Sequence, residues 1–204
     1  MSLEMLAQTA RMLGALLYYA PDDEQNVAIL SQLRQCGQQL DWPYGQSNEV
    51  ALATGLIAQG LQPDYDENLM VTWQQLFIGP DALAAPPWGS VYLDRENVLF
   101  GDSTLALRQW LYQRGIEPQF EQQEPEDHIG LMLMLVAWSA ENQPDWVSDI
   151  LADHLLPWAM RYLELLEHST THPFYIGLAK LTRLTLTDWQ QSYGITVTEK
   201  DIFY

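Results

Sequence analysis

Ile129-Gly130-Leu131-Met132-Leu133-Met134-Leu135-Val136-Ala137-Trp138 is the stretch whose reading decides the fold. It carries no charge and only one glycine interrupts its apolar side chains. It is too short to span a bilayer, which takes about 20 residues. A helix that is apolar all round belongs inside a protein, so this one is expected at the centre of a helical bundle.

Working upstream, Glu117 to Asp127 holds five acids and no base, with Pro118 and Pro125 inside it. It reads as a linker followed by a helix start, with Pro125 in the first turn. Asp102-Ser103-Thr104 caps a helix that runs to Arg114 and stops at Gly115. Between Gly79 and Gly101 periodicity fails, and Pro80, Pro86, Pro87, Trp88, Tyr92 and Phe100 fill a long loop. Ser90–Leu93 and Val98–Phe100 are expected to pair there as a minor hairpin. Such a long loop in a compact domain is often functional, and its aromatic rings offer a binding surface or a packed lid.

The remaining segments also read as helices. Leu6, Ala10, Leu13 and Leu17 recur at helical spacing from Leu3 to Ala20, and Pro21 ends that run. Further helices are expected from Asp22 to about Leu40, Asn48 to Gly60, and Glu67 to Ile78. Downstream, one runs from Trp146 to Glu167, bent at Pro157, and another from Pro173 to about Tyr193. Residues from Ile195 to Tyr204 read as irregular. No alternation of strands and helices appears, so the fold class is an all-α bundle, taken as one domain over 1–204.

Charge narrows the function. Nine Lys and Arg face 27 Asp and Glu, a formal net charge of -18. Such a chain repels a phosphate backbone and an anionic membrane surface, and it attracts cationic peptides. Acidity of this kind also serves solubility. The single cysteine, Cys36, excludes an internal disulfide. The four histidines form no HExxH or zinc spacing, and a helix break is expected between His168 and His172, so no metal or cofactor site is read. The N-terminal residues lack a basic signal-peptide region, which points to a cytoplasmic protein.

Two constellations stand out. Glu124-Pro125-Glu126-Asp127-His128 offers an Asp-His pair, but neighbours on a helix do not face each other. Acids in a first turn also complement the helix dipole, so a structural role and a binding role both remain open. The second constellation is Trp73, Leu76, Phe77, Pro86, Pro87, Trp88 and Tyr92. Trp73 and Phe77 share a helix face, and with Trp88 they can form a groove for an apolar segment or simply a core. No GxSxG, P-loop or GxGxxG motif supports an enzyme.

These segments resemble the TorD/DmsD family of redox enzyme maturation proteins, chaperones that proofread twin-arginine export. The likeness rests on Trp73-Gln74-Gln75-Leu76-Phe77-Ile78-Gly79-Pro80, Pro86-Pro87-Trp88-Gly89-Ser90, Val98-Leu99-Phe100-Gly101-Asp102-Ser103-Thr104 and Glu124-Pro125-Glu126-Asp127-His128, and covers nearly the whole chain. It implies an all-α fold with N- and C-terminal parts joined by a hinge near 116–127. It implies no reaction. The implied partner is the twin-arginine leader of a molybdoenzyme reductase subunit, of the dimethyl sulfoxide reductase type, with twin-arginine translocase components as further partners. Holding that leader delays export until the cofactor is loaded.

Positions that match the family's leader-binding residues are Trp73, Leu76, Phe77, Pro87, Trp88, Arg95, Gly101, Asp127 and His128. A leader is basic and then apolar, so Trp73, Phe77 and Trp88 are expected on its apolar half. Asp127 and Glu124 are expected on its arginines, through bidentate contacts. Asp81 departs from the family's DmsD branch, which carries an aromatic there, and this keeps a different molybdoenzyme open as client. The rival class is a nucleotide-dependent switch or hydrolase using Asp127 and His128.

Overall fold

A computed structural model describes residues 2–116 and 124–204, and every regular element among them is helical. The expected all-α class is the observed one. The hinge expected over 116–127 falls largely on residues outside those described. Backbone proximity divides the chain into two compact units, each drawing on both the N- and C-terminal halves of the sequence.

The first unit holds Met1–Tyr18, Pro87–Ala159 and Thr196–Tyr204. Its centre is the pair α1 (Leu3–Tyr18) and α8 (Ile129–Asn142), the helix that contains the apolar run. Gly14 and Gly130 let these two meet backbone to backbone. A Cβ on Gly130 would lie 2.7 Å from Gly14 O, and one on Gly14 would lie 2.8 Å from Gly130 O. Leu6, Leu13 and Leu17 of α1 and Ile129, Met132, Leu133 and Val136 of α8 are fully buried. The apolar run is therefore central to its unit, although Trp138 emerges at the surface.

Around that pair stand α6 (Gly89–Leu93), α7 (Asp102–Gln113) and α9 (Trp146–Asp149). The hairpin expected over Ser90–Leu93 and Val98–Phe100 does not form, because Ser90–Leu93 lies in α6. Two bonds hold that short helix at its start: Gly89 N–H donates to Asp127 O and Ser90 N–H to Asp127 Oδ2. The only bridge-type pairing described in the region joins Trp88 to His128.

The bend expected at Pro157 takes an unusual form. Ile150–Leu155 is a π-helical turn, leading into α10 (Leu156–His168). Leu156 N–H reaches back to Leu151 O, and Pro157 has no N–H to give Asp153 O. Other groups serve the carbonyls of this turn. Thr198 N–H donates to Ala152 O at 3.0 Å, Lys200 Nζ to Asp153 O at 2.7 Å, and Trp158 Nε1 to His154 O at 2.8 Å. The irregular segment Thr196–Tyr204 is thus tied down by the wide turn.

The second unit holds Tyr19–Pro86 and Met160–Ile195. It contains α2 (Glu24–Cys36), a 3-10 turn at Gly37–Gln39, α3 (Ser47–Gly60), α4 (Pro63–Asp66), α5 (Leu69–Phe77) and α11 (Pro173–Ser192). The helix expected over Glu67–Ile78 is observed as α5, preceded by the separate turn of α4. α11 packs on α3 through Gly177, where a Cβ would lie 2.6 Å from Ala53 O. The break between His168 and His172 is observed. His172 Nδ1 accepts Phe174 N–H to cap α11, and Pro173 takes the first turn.

Candidate functional site

The residues from Glu124 to His128 tie several parts of the first unit together. Glu124 Oε1 accepts the indole N–H of Trp88. Pro125 O accepts His128 N–H at 3.1 Å. Glu126 pairs with Arg108 of α7 at 2.7 Å. Asp127 Oδ2 accepts Ser90 N–H at 2.6 Å and the Thr104 hydroxyl at 3.0 Å, joining α6 to α7. His128 is the N-cap of α8, its Nδ1 accepting Gly130 N–H at 3.1 Å.

This geometry fixes the electrostatics. Asp127 is only 3 % exposed, and burial raises its pKa against the lowering effect of its Ser90 and Thr104 bonds. Burial lowers the His128 pKa to about 3, so the ring is neutral at physiological pH. With Nδ1 accepting, its proton sits on Nε2. The ring lies edge-on to Tyr18 at 5.0 Å and to Trp88 at 6.2 Å. Asp127 and His128 therefore face different partners.

Trp88 is half-buried on the rim of this junction, with Pro87 buried beside it and its carbonyl oxygen accepting Ile129 N–H at 2.8 Å. Gly101 has a steric role. A Cβ there would overlap the Asp94 carboxylate, which accepts the Ser103 hydroxyl at 2.7 Å and lies 3.4 Å from Ser103 N. Asp94 thereby caps α7 from outside the helix. Arg95 is exposed, its guanidinium 5.8 Å from the Phe203 ring centroid.

Between Asp94 and α7 the chain exposes Val98, Leu99 and Phe100, and Leu105 follows one turn into the helix. Phe100 has a φ of 59°, a left-handed conformation rare for a bulky side chain. Arg108 covers one face of its ring at 5.0 Å.

Trp73, Leu76 and Phe77 belong to the second unit and form a cluster of their own. Trp73 is half-buried and stacks on Phe77 at 6.2 Å, while Leu76 and Phe77 are buried and Phe77 meets Tyr175. Tyr175 in turn donates its hydroxyl to Leu69 O, at the start of α5.

Pro87, Trp88, Glu124, Asp127 and His128 thus meet at one junction, with Gly101 and Arg95 on the elements it positions. Reading the sequence missed Ser90, Thr104 and Asp94 as partners of these residues. The first two stand inside the Pro-Pro-Trp-Gly-Ser and Gly-Asp-Ser-Thr stretches, and small hydroxyl residues following tight turns were the available signal. Nothing in the sequence pointed to Lys200.

Among the described residues no helix is long and apolar enough to cross a membrane. Residues 45–164 match the family model of the nitrate reductase delta subunit. The chain is similar to the Tat proofreading chaperone DmsD of Salmonella typhi, 46% identical over 97% of this chain and 95% of that protein. It is also similar to the chaperone protein YcdY of Escherichia coli, 29% identical over 85% of this chain and 87% of that one. The chaperone protein TorD of Shewanella piezotolerans is 32% identical over 52% of this chain and 54% of its own length.

Proposed function

This chain belongs to the nitrate reductase delta subunit family, and from that premise we propose that it is a maturation chaperone, not an enzyme, that binds the twin-arginine leader of a redox enzyme. The observation that carries the reading is near full-length similarity to a Tat proofreading chaperone. Its client is a molybdoenzyme subunit of the dimethyl sulfoxide reductase type. It acts in the cytoplasm, holding the leader back from the translocase until the cofactor is in place.

The chemistry of the surface supports this. A charge of -18 attracts the arginine pair from a distance. In the first unit, exposed Val98, Leu99, Phe100 and Leu105 and the half-buried ring of Trp88 offer apolar contact for the rest of the leader, and in the second unit the half-buried ring of Trp73 offers an apolar surface of its own. Glu124 faces the arginines beside Trp88, and Arg95 borders the same unit. Pro87, Gly101, Asp127 and His128 are buried or half-buried and bear on the leader by shaping α6 and α7. Phe77 backs the Trp73 ring, and Leu76 is buried in the same helix. His128, neutral and occupied as a helix cap, is poorly suited to general-base work, and this speaks against a hydrolase.

Titration calorimetry with a synthetic leader tests the reading. Replacing both arginines by lysine should weaken binding about tenfold, because lysine cannot form the bidentate carboxylate contact. Raising salt from about 0.05 to about 0.5 M should weaken it further while leaving residual apolar affinity. A leader that fails to bind at low salt overturns the proposal.

A further inference from the structure

Residues Thr196–Tyr204 run irregularly over the first unit, and two of their main-chain bonds are of the kind a bound peptide makes. Main-chain N–H groups donate to carbonyls of the unit: Thr198 to Ala152 in the π-helical turn, and Phe203 to Tyr92 in α6 at 2.8 Å. Thr198 also donates its hydroxyl to Asp153 Oδ1. Backbone hydrogen bonds of this type hold extended peptides irrespective of side chain, and flanking pockets add selectivity.

The side chains follow a definite order. Lys200 stands between Glu199 and Asp201, its Nζ on Asp153 O, lining a small pocket with Gly89, Ser103, Asp127, His154 and Trp158. Burial lowers its pKa, against the raising effect of the Asp153 and Asp94 charges. Ile202, Phe203 and Tyr204 follow. Phe203 lies under the Arg95 guanidinium, and Tyr204 meets Tyr92 edge-on at 5.5 Å. Tyr92 itself stacks on Trp158 at 5.6 Å. Yet Ile202, Phe203 and Tyr204 each keep about 40 % of their surface in solvent. A strap bound so shallowly loses little apolar burial when it leaves.

Lys200 and, beyond Asp201, the apolar triplet Ile202-Phe203-Tyr204 run in the same chain direction as a leader's basic stretch followed by its apolar one, although Glu199 and Asp201 flank the single cation. The floor beneath the strap is built from α6, Asp127 and Trp158, the elements organised by the Glu-Pro-x-Asp-His junction. We propose that Thr196–Tyr204 is an internal stand-in for the leader: it occupies the leader's groove, with Lys200 in the place of a leader arginine, and the leader displaces it. The inference rests on the leader-binding reading given above and adds to it the location of the groove and its competitor.

Competition lowers apparent affinity by the fraction of molecules whose groove is open, so weakening the strap should tighten leader binding. The test compares wild type with the double substitution Lys200→Gln, Phe203→Ala, titrating both with a synthetic peptide of two arginines followed by an apolar run. In parallel, hydrogen exchange followed by NMR reads the Thr198 and Phe203 amides of the wild-type protein as peptide is added. The expected result is binding tightened at least about fivefold in the variant, with loss of protection at both amides in wild type. Unchanged or weaker binding by a folded variant, or increased protection of these amides, overturns the stand-in while leaving leader binding intact. If neither protein binds the peptide, the leader-binding reading fails and the stand-in falls with it.

Discussion

Asp127 accepts the Thr104 hydroxyl at 3.0 Å with the same carboxylate oxygen that takes Ser90 N–H at 2.6 Å. One buried oxygen therefore sets the position of two helices, α6 and α7. Asp127→Ala should destabilise the protein by about 2 kcal/mol, since it strands two buried donors. Asp127→Asn keeps a carbonyl acceptor and sheds a buried charge, so it should cost within about 1 kcal/mol. Urea denaturation of both variants checks the difference. Equal losses would show that the charge, and not the acceptor, is what matters.

Gly101 and Asp94 should behave as one unit. Gly101→Ala pushes the Asp94 carboxylate away from Ser103 and uncaps α7, a loss of about 1 kcal/mol. Asp94→Ala removes the same cap directly. The double variant should be no worse than the poorer single one, and a double-mutant cycle on chemical stability measures this coupling. Additive losses would contradict it.

The α1–α8 crossing tolerates no side chain at Gly130, where a Cβ would meet Gly14 O and Tyr18 Cβ, both at 2.7 Å. Gly130→Ala should lower stability by about 2 kcal/mol through overpacking. Gly55, inside α3, has open space at its Cβ position, so Gly55→Ala should raise stability by up to about 1 kcal/mol. Thermal melting of the pair tests whether close approach or helix propensity governs each glycine.

His128 gives the protein an acid-sensitive stability. Its folded pKa of about 3 lies below the ordinary value of 6.5, so the unfolded chain binds the extra proton first. The neutral cap contributes fully above pH 6.5, and that contribution falls by about 1.4 kcal/mol per pH unit as pH drops toward 3. Burial lowers His154 to about 4 in the same direction, whereas Asp127, raised by burial, acts in the opposite sense. His128→Asn retains an N-cap but cannot titrate. Its unfolding free energy should show a shallower decline than wild type between pH 6.5 and 4, and parallel curves would refute the assignment.

Helical periodicity made much of this architecture readable. The segment expected from Asp102 to Arg114 is observed as Asp102–Gln113, and Pro173 opens α11 as its position suggested. The failures share a cause. Val91, Leu93 and Val98 imitate strand alternation, but the start of α6 is held by Asp127, 37 residues from Ser90 in sequence. The Asn97 side chain meanwhile donates to Val91 O and turns the chain away from a hairpin. For the acidic stretch before α8, the local pattern left a structural role and a binding role both open. Burial turned Asp127 inward and gave Glu124 and Glu126 partners in Trp88 and Arg108, none of which a local pattern encodes.

Pro157 interrupts a ladder, and the interruption is put to use by a stretch of chain some forty residues further on. Replacing the imino acid with alanine would offer Asp153 O an amide of its own helix, making Lys200 redundant there. The last residues could then come adrift without any of them having been altered. Whatever depends on where those residues rest is therefore governed in part by a single ring in a helix they merely touch.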